Sequence, residues 1–372
     1  MARHADRATL AAALVDARER TLDQFAAFER ALDPGMRVPC SPELNLPLWE
    51  LGHIGWFADW WIARNPHLER GLRADPLAAR HAARRMDADA LYDSSTVAHE
   101  RRWHIHLPDA DTTRADLSAS LEQTLSLLRH AAEHDTGLYF FRLALLHEDM
   151  HAEAAVYMAQ ALGIEVGHPP SAAQTDTSEA HVPATQWTLG WPGSGFAFDN
   201  ELGAHCVPVE AFDIDTHAVT WARYLPAVHA GLVTVPRYLR RTPSGWEAHR
   251  FGTWQPLDLQ TPACHLSATQ AQAWCRWAGR RLPTEAEWEV AAHTVPGFGW
   301  GDVWEWTAST FAPFPGFAPH PYLDYSQPWF HTRPVLKGAS TATHPRMRHP
   351  RYRNYFPADR TDIFAGFRSV RA

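Results

Sequence analysis

The two halves of this chain follow different periodicities, and no single packing scheme accommodates both. In residues 1–165 apolar side chains recur every three or four positions, the repeat of a helix with one buried face. Over 9–32 the stripe is Leu10, Leu14, Leu22, Phe25, Phe28 and Leu32, and Asp33-Pro34-Gly35 ends it. The same spacing predicts helices over 48–63, which is rich in Trp and Phe, over 117–132 with Leu117, Leu121, Leu125 and Leu128 in step, and over 138–162, with a weaker one over 87–104. A helix bundle is expected. In residues 184–372 Gly, Pro, Trp and short apolar runs dominate, and only 267–278 and 285–292 keep a helical period. That composition predicts an irregular α+β domain with much loop. Between the halves, 166–183 is rich in Pro, Ser and Thr and poor in apolar residues, as a linker would be.

A length of 372 residues agrees with two domains. The content of 45% hydrophobic and 20% charged residues is that of an ordinary globular protein. A formal charge of −8 argues against a general nucleic-acid binder. No run approaches the ~18 apolar residues of a membrane span. Asp6 and Asp16 interrupt any charged-apolar-cleavage order at the N-terminus, so a cytoplasmic location is expected. The four cysteines, Cys40, Cys206, Cys264 and Cys275, are scattered and form no CxxC, which speaks against a disulfide framework or a thiolate zinc site.

The chemistry starts at His147-Glu148-Asp149-Met150-His151, inside the helix predicted over 138–162. Residues four apart stack on one helical face, so two imidazoles can meet at one point. The zinc-protease pattern H-E-x-x-H is literally present, and the spacing alone does not choose the metal. A solvated helix face is the bland alternative, but Leu143, Leu146, Ala154 and Met158 argue that this face is buried. A third ligand should come from another helix. His53, in Leu48-Trp49-Glu50-Leu51-Gly52-His53-Ile54-Gly55-Trp56, is the candidate, with Gly52 and Gly55 permitting close helix approach. A lone histidine on such a helix is more often a satisfied core residue; the choice depends on the pair it would join. Three neutral histidines leave one position open on zinc and three on six-coordinate Fe(II), the arrangement of oxygen-using iron sites.

Three segments of the second half carry a family resemblance: Arg281-Leu282-Pro283-Thr284-Glu285-Ala286-Glu287-Trp288-Glu289, Gly301-Asp302-Val303-Trp304-Glu305-Trp306-Thr307, and Gly366-Phe367-Arg368-Ser369-Val370-Arg371. They resemble the formylglycine-generating-enzyme/sulfatase-modifying-factor domain, a C-type-lectin-like fold. The first half, with His53 and His147-x3-His151-x-Glu153, resembles a DinB-like four-helix bundle. In this order the two resemble the ergothioneine-synthase group, which includes selenoneine synthases. The resemblance implies Fe(II) on His53, His147 and His151, O2 as co-substrate, and hercynine, the trimethyl betaine of histidine, as the molecule whose imidazole C2 receives a chalcogen.

By the same resemblance, Tyr322 in Pro321-Tyr322-Leu323-Asp324-Tyr325 is the catalytic acid. A phenol with an ordinary pKa near ~10 stays protonated at neutral pH and can donate. Tyr325 would face the trimethylammonium group, which suits an aromatic face. In Arg353-Asn354-Tyr355-Phe356-Pro357, Asn354 would bind the carboxylate or ammonium end of the betaine, and Tyr355 would form its aromatic wall. The chain departs from the family at the donor. Phe356 stands where users of γ-glutamylcysteine tend to have Asp, Met150 stands where Gln is common, and Arg80, Arg84 and Arg85 do not register with the expected donor-binding arginines. Replacing a carboxylate by a phenyl ring removes the partner of a donor ammonium and suits the apolar face of a neutral selenosugar. The expectation is therefore selenoneine-type C–Se bond formation.

The rivals are a sulfoxide synthase using cysteine, γ-glutamylcysteine or another thiol, a zinc-dependent DinB-type thiol transferase or hydrolase, and a non-enzymatic binding scaffold. Formylglycine generation is disfavoured because it uses paired cysteines near the C-terminus, and no cysteine follows Cys275. Asp302 and Glu305 are compatible with a structural Ca2+. The run Arg346, Arg348, Arg351, Arg353 is by default a solvated surface.

Overall fold

The computed structural model describes residues 2–174 and 178–372. The chain divides into two compact units. The first runs to Val166 and also takes in Ser194–Phe196 and His320–Asp324; the second holds the rest of the described chain.

In the first unit, α1 spans Arg7–Ala31, α2 Pro47–Ala58, α3 Ala88–Tyr92, α4 Ala110–Leu128 and α5 Asp135–Leu162. Their ends follow from local chemistry. The Asp6 carboxylate accepts from the Thr9 amide at 2.8 Å, and Asp109 does the same for Thr112 at 2.8 Å, each satisfying a free amide of the first turn. The Asp109 cap starts α4 about two turns before the leucine stripe that announced it. α5 is capped by His134, whose Nδ1 accepts from the Gly137 amide at 3.1 Å, and it ends at left-handed Gly163. Every residue of α2 except Glu50 is buried. A helix that is apolar all round belongs in the middle of a bundle. It continues as a π-helical turn over Asp59–Ala63.

The segment 87–104, expected as one weak helix, is not one. α3 stops at Asp93, whose side chain accepts from the Ser95 amide at 2.9 Å and the Ser95 hydroxyl at 2.6 Å. This local turn competes with helix continuation, and only a short 3-10 turn, His99–Trp103, follows.

Three helices are joined by one buried arginine. Arg18 on α1 donates Nε to Glu148 Oε1 at 2.8 Å and a terminal N–H to Glu148 Oε2 at 3.2 Å, and it also donates to the Leu117 carbonyl of α4. Both side chains of the pair are 5% exposed. Glu148 is thereby committed to α1.

The second unit contains β1 (Glu179–Val182), β2 (Thr185–Leu189), β3 (His205–Val209), β4 (Phe212–Asp215), α6 (Trp221–His229), β5 (Leu239–Thr242), β6 (Gly245–Arg250), β7 (Thr253–Pro256), α7 (Ala268–Trp277), β8 (Arg280–Arg281), α8 (Glu285–Thr294), β9 (Trp304–Thr310), β10 (Pro334–Gly338), β11 (Asn354–Tyr355), β12 (Ala365–Gly366) and β13 (Val370–Arg371). The sheets run β1-β4-β13-β8, β11-β10-β9-β12, β5-β6-β7 and β2-β3. Two sequence expectations are corrected here. The stretch expected as a linker over 166–183 is partly built into this unit: β1 pairs antiparallel with β4, and the Gln174 amide donates to the Gln260 carbonyl at 2.9 Å. Its residues 175–177 lie outside the described residues. α6 was not expected, because Pro226 and a short length hide its period.

All three segments of the family resemblance meet at one buried point. Glu305 accepts from Trp288 Nε1 at 2.8 Å and from both Nε and a terminal nitrogen of Arg368. Trp288, Ile214 and Val370 form the core around it. Among the described residues no helix is long and apolar enough to cross a membrane.

Leaving one member of a buried ion pair uncompensated costs about 3–5 kcal/mol, whereas an apolar pair of similar volume is often tolerated. Arg18→Ala is therefore predicted to lower unfolding stability by about that amount, and Arg18→Met with Glu148→Leu to recover most of it. Denaturant unfolding of the two variants checks this. Equal losses in both would contradict the reading.

Candidate metal centre

α2 and α5 bring three imidazoles together. His147 and His151 lie one turn apart on α5, and His53 faces them from α2. His147 Nε2 is 3.3 Å from His53 Nε2 and 3.1 Å from His151 Nε2. One ligand atom from each ring lies within 4.8 Å of the others, and among the described residues this is the one such group of three or more His, Cys, Asp or Glu. His53 and His147 are 2% and 3% exposed.

The far side of two rings determines what the near side offers. His53 Nδ1 lies 2.8 Å from the Tyr92 carbonyl, which can only accept. The ring therefore carries its proton on Nδ1 and turns the Nε2 lone pair inward. Tyr92 reaches this position because residue 52 is glycine: a Cβ there would stand 2.3 Å from the Tyr92 ring. His151 Nδ1 bonds Glu50 Oε2, and the other Glu50 oxygen accepts from Asn45 Nδ2. This is the carboxylate–histidine arrangement that orients metal-binding imidazoles.

The donor set fits a transition metal. Two inward lone pairs, on His53 and His151, face His147 Nε2, which has at most one proton to share between them. A cation satisfies all three. Two nitrogens bound at about 2.0–2.1 Å to one ion sit about 2.8–3.4 Å apart for octahedral to tetrahedral angles, and both separations from His147 Nε2 fall in that interval. The electrostatics agree. Burial, helped by the neighbouring His151, holds His53 down to about 3, and burial drives His147 well below the ordinary imidazole value. Neutral imidazoles are the ligand form. Burial alone would raise the Glu50 carboxyl, but the field and hydrogen bond of His151 bring it down to about 2.

Aromatic rings wall the cluster. Phe57 stacks on His147 with centroids 3.5 Å apart, Trp49 stacks on His53 at 4.8 Å, and Tyr322 meets His147 edge-on at 6.2 Å and Phe57 at 5.1 Å. Tyr322 thus belongs to the helical unit, although it lies far along the chain. Burial, with the nearby carboxylates of Asp324 and Asp93, pushes its phenol above the ordinary value. Glu148, the protease-like position, is bound to Arg18 and is not the partner of the imidazoles.

The remaining candidates gather in the second unit. Tyr355 donates its hydroxyl to the Tyr325 carbonyl, and the two rings stand at 6.1 Å in a T. Burial holds the Tyr325 phenol well above its ordinary value, and its hydroxyl bonds Tyr352 at 3.0 Å. Asn354 Oδ1 accepts from the Tyr355 amide at 2.9 Å. Arg360 lies over the Phe356 ring at 5.4 Å. Met150 is half-buried on α5, about 100° around the helix from His151. Asp302 accepts from Gln174 at 3.1 Å, and both Glu305 oxygens are held by Arg368 and Trp288, so Glu305 serves the core.

Sequence reasoning missed Glu50, Tyr92 and Phe57. Glu50 had a signal: it lies three residues before His53, on the same face of an otherwise apolar helix. Tyr92 acts through its backbone, which no side-chain pattern reports.

Fold and site together define a two-unit protein, a helical bundle carrying a cluster of three histidines and a mixed α+β unit. The chain belongs to the family of the sulfatase-modifying factor enzyme 1-like domain, which matches residues 167–298 and 299–372. Its relatives include the Hercynine oxygenase of Mycolicibacterium smegmatis, 29% identical over 97% of this chain and 98% of that protein. The Hercynine oxygenase of Mycobacterium tuberculosis is 28% identical over 96% and 97%. The Formylglycine-generating enzyme of Streptomyces coelicolor is 30% identical over 36% of this chain and 54% of its own length.

The geometry predicts that His147→Ala abolishes tight binding of a divalent transition metal. Glu50→Ala should weaken it about 10–100-fold with the fold intact. Competitive chelator titration checks both; unchanged affinity in Glu50→Ala would remove Glu50 from the centre.

Proposed function

We propose that this chain is a cytoplasmic nonheme Fe(II) oxygenase that joins a chalcogen to C2 of the hercynine imidazole, and that its donor is a selenosugar. The observation that carries the reading is the three-histidine cluster with Tyr322 against it, in a chain collinear with hercynine oxygenases. His53, His147 and His151 would hold the metal. Bound there, Fe(II) would supply reducing equivalents for O2 and three open positions for bringing reactants together.

The chain's own residues do the rest. Tyr322 keeps its proton at neutral pH and delivers it from Oη, as a general acid positioned beside the cluster. Phe57 and Trp61, 5.1 and 6.3 Å from the Tyr322 ring, keep water from that hydroxyl. Tyr325 and Tyr355 offer aromatic faces to the trimethylammonium group, which has no N–H to donate. The Asn354 amide meets the charged end of the betaine. Phe356 offers the donor an apolar ring in place of a carboxylate, which favours a neutral sugar over a cysteinyl ammonium.

Incubating the Fe(II)-loaded protein with hercynine, O2 and either a selenosugar or γ-glutamylcysteine, and identifying products by mass spectrometry, tests the proposal. The expected product carries selenium at C2. Selective turnover of γ-glutamylcysteine or cysteine would replace the selenium reading with a sulfoxide synthase. Absence of any O2-dependent hercynine product would sink the oxygenase reading. Tyr322→Phe is predicted to lower turnover by about 10²-fold or more while leaving Fe(II) affinity unchanged. Retention of full turnover would remove Tyr322 as the acid.

A further inference from the structure

Arg102 is a cation without a counter-ion in contact. It lies in the 3-10 turn His99–Trp103, half-buried, and its guanidinium rests on the Trp49 ring at 3.7 Å. Trp49 also stacks on the metal-binding candidate His53, at 4.8 Å and 10°. Among the described residues no hydrogen bond or ion pair reaches the Arg102 side chain, and its Nε is buried with no partner. Buried arginines such as Arg18, Arg353 and Arg368 are by contrast paired, with Glu148, Glu285 and Glu305.

Three groups feel the charge of Arg102 at a distance: Glu50, the Tyr322 hydroxyl and His53. None of them is in contact with the guanidinium. Glu50 spends its oxygens on His151 and Asn45, and a phenol held protonated carries no charge. A planar fork of N–H donors is thus stacked on Trp49, partly desolvated, and near enough to the cluster for Glu50, Tyr322 and His53 to feel its charge. Buried guanidinium N–H groups left unmatched are costly, and a carboxylate matches them in two parallel bonds.

We propose that Arg102 is a substrate-binding residue that takes the carboxylate of the betaine bound at the three-histidine centre. The proposal rests on the functional reading above, in which hercynine is the reactant bearing a carboxylate and the selenosugar is neutral. Charge complementarity then sorts the two reactants: the betaine is drawn to the Arg102 side, and the neutral donor gains nothing there. The position also has a geometric use. A carboxylate anchored on a ring-stacked guanidinium restrains the rotation of the attached imidazole, which is the orientation that reaction at C2 requires.

The test compares Fe(II)-loaded wild type, Arg102→Gln and Arg102→Lys on hercynine and on its decarboxylated analogue, imidazolylethyl-trimethylammonium. Hercynine binding is also read by calorimetry, and Fe(II) affinity by chelator competition. In Arg102→Gln, kcat/KM for hercynine should fall about 10–100-fold, chiefly through KM, as for loss of a charge-assisted bidentate contact. The analogue should be used equally by wild type and variant, and Arg102→Lys should recover part of the loss. Unaltered preference for hercynine over its analogue in Arg102→Gln overturns the assignment. So does weakened Fe(II) affinity with that preference intact, which would make Arg102 a charge balance for Glu50. So does a loss that follows the carboxylates of γ-glutamylcysteine and not that of hercynine. If wild type binds no hercynine at all, the functional reading and the role of Arg102 fall together; hercynine binding that Arg102→Gln leaves unchanged removes Arg102 alone.

Discussion

The three-histidine cluster depends on how α2 meets α5, and the two helices meet at those histidines. α2 contributes one imidazole directly through His53 and orients another through Glu50, one turn earlier on the same helix. α5 contributes the other two. A slip of either helix by one residue would rotate its side chains by about 100° and separate the nitrogens that now lie 3.1–3.3 Å apart. What resists the slip is a set of specific polar contacts within apolar packing: His53 to the Tyr92 carbonyl, His151 to Glu50, and Arg18 to Glu148. Each would be expensive to break, because a buried donor or acceptor left alone loses its hydration without compensation.

The second unit solves a different problem. Much of it is loop, so it lacks the long repetitive hydrogen bonding that stabilises helices. Buried arginines take over part of that role by bonding backbone carbonyls as well as carboxylates. Arg368 reaches the carbonyls of Asp215, Thr216 and Gly299 besides Glu305. Arg353 reaches those of Asn200 and Ala312 besides Glu285. Loop carbonyls buried without such donors would be unsatisfied. The segments that resemble the sulfatase-modifying-factor family are therefore architectural at these positions. Asn354 and Tyr355 follow Arg353 directly, so the candidate substrate residues stand on a rigidly held strand.

Much of this was legible in the primary structure. α1, α2, α4 and α5 appeared as apolar stripes; α1 and α4 begin earlier than their stripes because Asp6 and Asp109 cap them, and α4 ends at Leu128, before the expected 132. The His147–His151 pair was visible from helical spacing. The weak helix over 87–104 was misread because the Asp93–Ser95 turn competes with helix in a way that periodicity does not record. The linker reading at 166–183 failed at β1, whose four residues are strand only because β4 offers a partner edge.

The amino-acid sequence by itself determined the division into a helical and a mixed half, the helix that carries two histidines, and the family to which the second half belongs, because local periodicity and contiguous motifs require no knowledge of distant neighbours. His53 was already the sequence candidate for the third histidine; only the tertiary structure decided that it meets the pair, that Tyr322 lies against His147 across some 175 residues of chain, that Glu148 serves Arg18, and that Arg102 has no counter-ion in contact. Each of these depends on what a side chain meets after the chain has closed on itself, and sequence spacing carries no record of partners brought together by long-range packing.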